Sequence, residues 1–248
     1  MKIKIKHIEK SFGENQILKD VSFELEQGKV YVLMGTNGSG KTTLFNILTG
    51  FLKTDKGSVV WNNENLLNKE SYLINEIGIS RTFQDLRLIE ELTVKENVLL
   101  SFKNQEGEKW WKALLTKNGY SIEQTENNKK AYKILEQTFI SDIANQKAGE
   151  ISYGQQKLLT LACCIANDAQ LFLLDEPVAG VNPVYRDKLV KVMKTLKEQE
   201  KTFLIIEHNT GFISEIADEI FFLNNGTITE YQTYEAMRMD EQVKEAFV

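Results

Sequence analysis

The sequence predicts an α/β fold: a parallel sheet with helices on both faces and a helical subdomain inserted into it. Three observations predict this. Val30–Met34, Leu171–Leu174 and Phe203–Ile206 are short, continuous apolar runs, as expected of strands buried on both faces of a parallel sheet. The stretch Val184–Gln199, between the last two, is patterned as a helix, which makes a βαβ alternation. From about Leu86 to Ala166 the chain turns polar, charged and helix-patterned.

The elements follow in order. Ile3–Ile8 alternates apolar and polar residues, so one face of a strand is buried. Val21–Leu25 alternates again and stops at Gln27-Gly28. Val30–Met34 leads into a glycine-rich turn and then the helical stretch Thr42–Thr49. Val59–Trp61 and Ile77–Ile79 are short strand candidates, with Asn62-Asn63 as a turn. In the middle, Val94, Val98 and Leu99 share one helical face, and Ile134, Leu135 and Phe139 share another. Ile220–Leu223 and Thr227–Tyr231 flank Asn224-Asn225-Gly226 as a hairpin. Tyr234–Val248 reads as helical.

A chain of 248 residues holds one domain or two closely joined subdomains. Its 42% apolar and 26% charged residues are ordinary for a globular protein. A net charge of −5 argues against a nucleic-acid partner, which calls for a basic stripe. Cys163 and Cys164 are adjacent, and neighbours cannot easily meet disulfide geometry. They read as small buried residues on a helix in a reducing compartment. The opening MKIKIKHIEK is a strand pattern rather than a signal peptide. The apolar runs fall far short of the roughly 20 residues of a membrane helix, so any membrane role is expected to come through a partner.

Gly35-Thr36-Asn37-Gly38-Ser39-Gly40-Lys41-Thr42 fits the phosphate-binding pattern G-x-x-x-x-G-K-[ST]. Glycines let the backbone curl so that successive N–H groups point at phosphate oxygens. The helix that starts near Lys41 offers its positive end to the same anion. Lys41 reaches the β and γ phosphates, the Thr42 hydroxyl suits Mg²⁺, and Thr43 follows in the first helical turn. A phosphate cradle implies nucleotide binding; hydrolysis needs further groups. Leu171-Phe172-Leu173-Leu174-Asp175-Glu176-Pro177 is a buried strand ending in two carboxylates, at the carboxyl edge where open α/β sheets bind ligands. Asp175 suits Mg²⁺ through water, and Glu176 suits polarising the attacking water. His208 ends another buried strand, Phe203 to Glu207, so it is expected near the γ-phosphate. His7, in the first strand, carries no such signal.

At this point the chain resembles the ABC ATPase family over essentially its whole length. The discriminating element is Ile151-Ser152-Tyr153-Gly154-Gln155-Gln156, which looks like the family's signature motif. The resemblance implies a P-loop NTPase (RecA-like) core in the ABC ATPase fold, with ATP and Mg²⁺ as ligands. It implies a core with an antiparallel β subdomain over 1–85 and 167–232, an inserted helical subdomain over 86–166, and a C-terminal helical tail over 233–248. It implies that Ser152, Tyr153, Gly154 and Gln155 act in trans, on the nucleotide of a second subunit. Phe12 resembles the aromatic that stacks on adenine. Gln84 resembles the glutamine that touches Mg²⁺ and links core to helical subdomain. The implied partners are a second ATPase subunit, identical or paralogous, transmembrane permease subunits, and indirectly a solute-binding protein. The implied location is cytoplasmic, on the inner face of the membrane.

Tyr153 stands where the commonest signature has glycine, and Asn182 where the commonest loop has aspartate. Both variants resemble the ATPases of branched-chain amino acid importers, as does the run Glu176 to Pro183. An exporter ATPase for lipid or lipopolysaccharide and a non-transport ABC ATPase are the alternatives at this point.

Overall fold

The computed structural model describes residues 2–67, 69–82, 86–103 and 117–246. Among the described residues ten strands form one sheet: β1 (Lys2–Phe12), β2 (Asn15–Glu26), β3 (Val30–Met34), β4 (Lys56–Trp61), β5 (Glu64–Asn65), β6 (Ile79–Arg81), β7 (Leu171–Asp175), β8 (Thr202–Ile206), β9 (Glu219–Asn224) and β10 (Thr227–Tyr231). Their order across the sheet is β5-β4-β1-β2-β10-β9-β3-β8-β7-β6. The run from β9 to β6 is parallel, and β1 pairs antiparallel with both β2 and β4. The fold is the α/β class expected. Helices α1 (Lys41–Leu48), α2 (Ser71–Ile77), α3 (Val94–Leu100), α4 (Lys117–Gln137), α5 (Tyr153–Ala166), α6 (Pro183–Glu198), α7 (Thr210–Ile216), α8 (Tyr234–Met239) and α9 (Glu241–Ala246), with a short 3-10 turn at Ser141–Ile143, complete the described elements.

The chain divides into two compact units. The first is Met1–Arg81, Gln170–Ala179 and Lys194–Val248; the second is Thr82–Ala169 and Gly180–Met193. The second thus takes in residues 180–193 beyond the 86–166 expected of a helical subdomain.

In the first unit the parallel strands β3, β7 and β8 are buried along their whole length, which is why they read as unbroken apolar runs. β1 is buried on one face, at Ile3 and Ile5. Strict alternation would then bury position 7. Instead His7 adopts φ 51°, the pairing with β2 shifts between Ile5 and Ile8, and Ile8 is the next buried residue. A bulge re-aims the strand, and an exposed His7 holds Asp20 Oδ1 at 2.9 Å. The hairpin turn has φ of 48° at Asn225 and 82° at Gly226, the positive pair that tight hairpins demand. Gly226 O then accepts Lys19 N–H at 2.9 Å, which ties β10 to β2.

One expectation is corrected. Ile77–Ile79 is not a strand: Ser71–Ile77 is α2, Gly78 turns the chain at φ 109°, and β6 starts at Ile79. Apolar spacing in so short a stretch cannot separate the last turn of a helix from the first residues of a strand.

In the second unit α3 begins at Thr93, whose N–H donates to Glu96 Oε2 at 2.8 Å while its hydroxyl accepts Glu96 N–H at 3.2 Å, a capping box. Val94, Val98 and Leu135 are fully buried, but Leu99 is only half-buried and Asn97 takes an inward place. The Asn97 amide is satisfied by Ile89 N–H at 2.9 Å and by Thr93 O at 3.0 Å. Phe139 is exposed rather than on a helical face, because α4 stops at Gln137 and Phe139 turns to φ 59°. The adjacent cysteines lie on α5, and burial pushes the Cys163 and Cys164 thiols up to about 11 and about 12, so both stay protonated and inert. Among the described residues no helix is long and apolar enough to cross a membrane.

The parallel and antiparallel parts of the sheet share one aromatic cluster. Phe221 of β9 is fully buried, 4.8 Å from the Phe23 ring of β2 and 5.1 Å, stacked, from the Tyr31 ring of β3. Phe221→Ala is expected to lower the unfolding free energy by about 3–5 kcal/mol, measured by urea titration.

Candidate active site

Three parallel strands build the site. β8 lies between β3 and β7. Its Ile206 pairs with Leu33 on one side and with Asp175 on the other, so three carboxyl ends lie at one edge. The residues that leave them are the glycine loop from Gly35, then Glu176, then Glu207-His208.

The glycine loop is pressed against the sheet from behind. A β-carbon on Gly35 would run into Leu223 O, and one on Gly40 would lie 2.8 Å from Leu18 Cδ2. Lys41, the first residue of α1, is 9% exposed. Its ammonium donates to Gly35 O at 2.8 Å and Thr36 O at 2.9 Å. Burial pulls its pKa below the usual lysine range, and the charges of Glu176 and Asp175 act against that fall. Thr42 is exposed at the mouth of the loop, with Asn37 and Gly38, while Thr36 and Thr43 are half-buried. Ser39 Oγ is buried with no hydrogen-bond partner. A buried unsatisfied polar atom costs about 1–3 kcal/mol, and a phosphate oxygen would satisfy it. The donor set fits an anion.

Asp175, 9% exposed, ends β7. Its Oδ2 lies 3.5 Å from Arg81 Nη2. Arg81 also donates from Nη1 to Asn46 Oδ1 of α1 at 2.6 Å, with its guanidinium carbon 5.4 Å from the Phe45 ring. One buried arginine thus joins the helix of the phosphate loop to the strand of the carboxylates. Sequence reasoning assigned it nothing. It belongs to no motif, and its only signal is a cation at the end of a short apolar strand. Gln84 lies outside the described residues.

Glu176 is half-buried and adopts φ 48°. Its N–H donates to Ile206 O at 2.9 Å and its carbonyl accepts Ala179 N–H at 3.3 Å. A left-handed glutamate costs on the order of 1–3 kcal/mol and persists only where its surroundings dictate it. His208 is exposed at the end of β8. Phe12 ends β1, 51% exposed, with the Lys10 ammonium 5.5 Å from its ring centroid; Asp55 holds that ammonium at 2.7 Å. In the second unit Ser152 caps α5, its N–H donating to Gln155 Oε1 at 2.8 Å.

The profile of the ABC transporter family matches residues 18–179, well over half of the sequence. The chain belongs to the ABC transporter family. A high-affinity branched-chain amino acid transport ATP-binding protein of Salmonella typhimurium is 34% identical over 238 residues, 96% of this chain and 93% of its own. A nucleotide-free ATP-binding cassette from an ABC transporter superposes with a TM-score of 0.85 at 34% identity, covering 100% of this chain and 99% of that one. A dimeric bacterial ABC transporter cassette gives a TM-score of 0.77 at 27% identity, covering 93% and 98%. The fold is the ABC ATPase fold.

The places where this ABC protein departs from the commonest motifs have local physical accounts. Asn182 Oδ1 accepts Tyr185 N–H at 3.1 Å, so the amide caps the start of α6 as a carboxylate would, with Pro183 in the first helical position. The exposed Tyr153 ring lies 5.3 Å from the Lys157 ammonium and in reach of Gly180, where a β-carbon would be 3.5 Å from Tyr153 Cε1. Glycine is required at 154 by the same unit: a β-carbon there would lie 2.7 Å from Tyr185 Cγ.

Among the described residues there is no group of three or more His, Cys, Asp or Glu side chains that could hold a metal by itself. A divalent cation here would lean on phosphate oxygens and few protein ligands, as Mg²⁺ commonly does. Lysine cannot reproduce the fork that spans Asn46 and Asp175. Arg81→Lys is expected to lower the unfolding free energy by about 1.5–3 kcal/mol, read from guanidinium titration.

Proposed function

We propose that this chain is the ATP-binding and ATP-hydrolysing subunit of an ABC importer for branched-chain amino acids or similar small solutes. The observation that carries the ATPase reading is the common edge of β3, β8 and β7, which gathers the phosphate loop, Glu176 and His208.

ATP lies with its phosphates in the loop Gly35 to Thr43, against Lys41 and the start of α1, and its adenine on Phe12. Thr42, Asp175 and Gln84 would hold Mg²⁺, which would supply charge neutralisation at the transferred phosphoryl group. Glu176 orients the attacking water and accepts its proton, and His208 hydrogen-bonds the γ-phosphate. Hydrolysis is mainly positioning and charge stabilisation. Ser152, Tyr153, Gly154 and Gln155 serve the nucleotide of a second subunit, a reading supported by the dimeric cassette similar to this chain. The transmembrane path belongs to permease subunits, with a solute-binding protein upstream, and the chain works on the cytoplasmic face of the membrane. The cargo reading rests on the Salmonella relative, a branched-chain amino acid transport protein.

Glu176→Gln should bind ATP as the parent does and release phosphate at least about a hundredfold more slowly. Lys41→Ala should lose tight ATP binding; equilibrium titration with a fluorescent ATP analogue checks both. In proteoliposomes holding the chain with its permease and binding protein, ATP should drive uptake of labelled leucine. Uptake of no branched-chain amino acid would remove that cargo, and outward movement of lipid would replace the importer reading with the exporter one.

A further inference from the structure

Glu207 is a buried carboxylate that the reaction described above does not use. It follows β8, is 3% exposed, and spreads its two oxygens over three backbone donors. Oε1 accepts Val178 N–H at 3.1 Å. Oε2 accepts His208 N–H at 2.6 Å and Asn209 N–H at 2.9 Å.

These bonds join two loops that are far apart in sequence. Val178 stands two residues after Glu176, and His208 is the next residue after Glu207. The Glu176 N–H bond to Ile206 O, at 2.9 Å, is the last one of the ladder between β7 and β8. Beyond it backbone pairing ends, and the Glu207 side chain takes over the cross-link. The loop from Glu176 is closed on itself by Ala179 N–H to Glu176 O at 3.3 Å. Asn209 is fixed from its other side, its Oδ1 accepting Phe212 N–H at 2.9 Å to cap α7. The carboxylate thus sits between a left-handed Glu176 and the exposed His208, bonded to the backbone around both.

We infer that Glu207 is a positioning residue for hydrolysis, setting the place of Glu176 relative to His208 through Val178, His208 and Asn209. The inference rests on the reading of Glu176 and His208 as the hydrolytic pair. Glu207 touches no nucleotide in this account. The carboxylate supplies acceptors on both oxygens and no donor. Glutamine keeps the shape but turns an NH₂ group toward backbone N–H groups. Donor then faces donor, and one loop must shift. Small displacements of reacting groups cost up to about a hundredfold in rate.

The test compares Glu207→Gln with the parent, full-length and with its membrane partners, in steady-state phosphate release and equilibrium ATP binding. The expected result is kcat lower by about ten- to a hundredfold with ATP affinity within about twofold. An unchanged kcat would overturn the inference. So would a parallel fall in kcat and affinity, the mark of general loosening. Should Glu207→Gln fail to fold, Glu207→Asp decides by the same two measurements: it is too short to keep all three bonds, and unchanged kcat in it overturns the inference equally. Glu176→Gln and His208→Ala run alongside. Near-normal turnover in those two would bring down the hydrolytic reading itself. Their loss with normal Glu207→Gln brings down only the role of Glu207.

Discussion

Parallel backbone hydrogen bonding of β8 to β3 on one side and β7 on the other is the constraint on which the site depends. Each strand is only five residues long, and a parallel ladder fixes where each must end. With the ends aligned, the chain leaves the sheet three times at one edge, and each exit carries a polar group. The apolar strands and the polar exits are one device. The parallel ladders hold the strands in register, and the register sets the distances among the groups that follow.

Charge is held in place around that edge by backbone as much as by opposite charge. Lys41 is desolvated and bonded to two carbonyls of its own loop. Its ammonium is therefore held in one orientation by its own loop. Arg81 binds α1 to Asp175, and Glu207 gathers backbone donors from two loops. A side chain that spans two elements in this way costs rotamer entropy, and these two are buried enough for charge-assisted bonds to offset it.

The second unit follows a different logic. Its signature segment is a helix start, Ser152 with Gln155, offered on an exposed surface. Tyr185 demands the glycine at 154, and the Asn182 cap holds the start of α6 on which Tyr185 stands. The same short stretch is thus constrained twice, by packing within the unit and by the role proposed for it toward a second subunit.

The sequence by itself determined the fold class and the three buried strands, and it picked out the glycine loop from Gly35, because continuous apolar runs and glycine spacing are local signals. It placed Asp175, Glu176 and His208 at strand ends for the same reason. It determined less where local signals compete, as at Ile77–Ile79, where a helix end and a strand start share one apolar pattern, and at His7, where a bulge breaks the alternation. Only the tertiary structure decided what meets what. The fork of Arg81, the left-handed backbone of Glu176 and the bridging carboxylate of Glu207 all depend on residues remote in sequence. Pairing across the sheet brings those residues together, and no local spacing encodes that pairing.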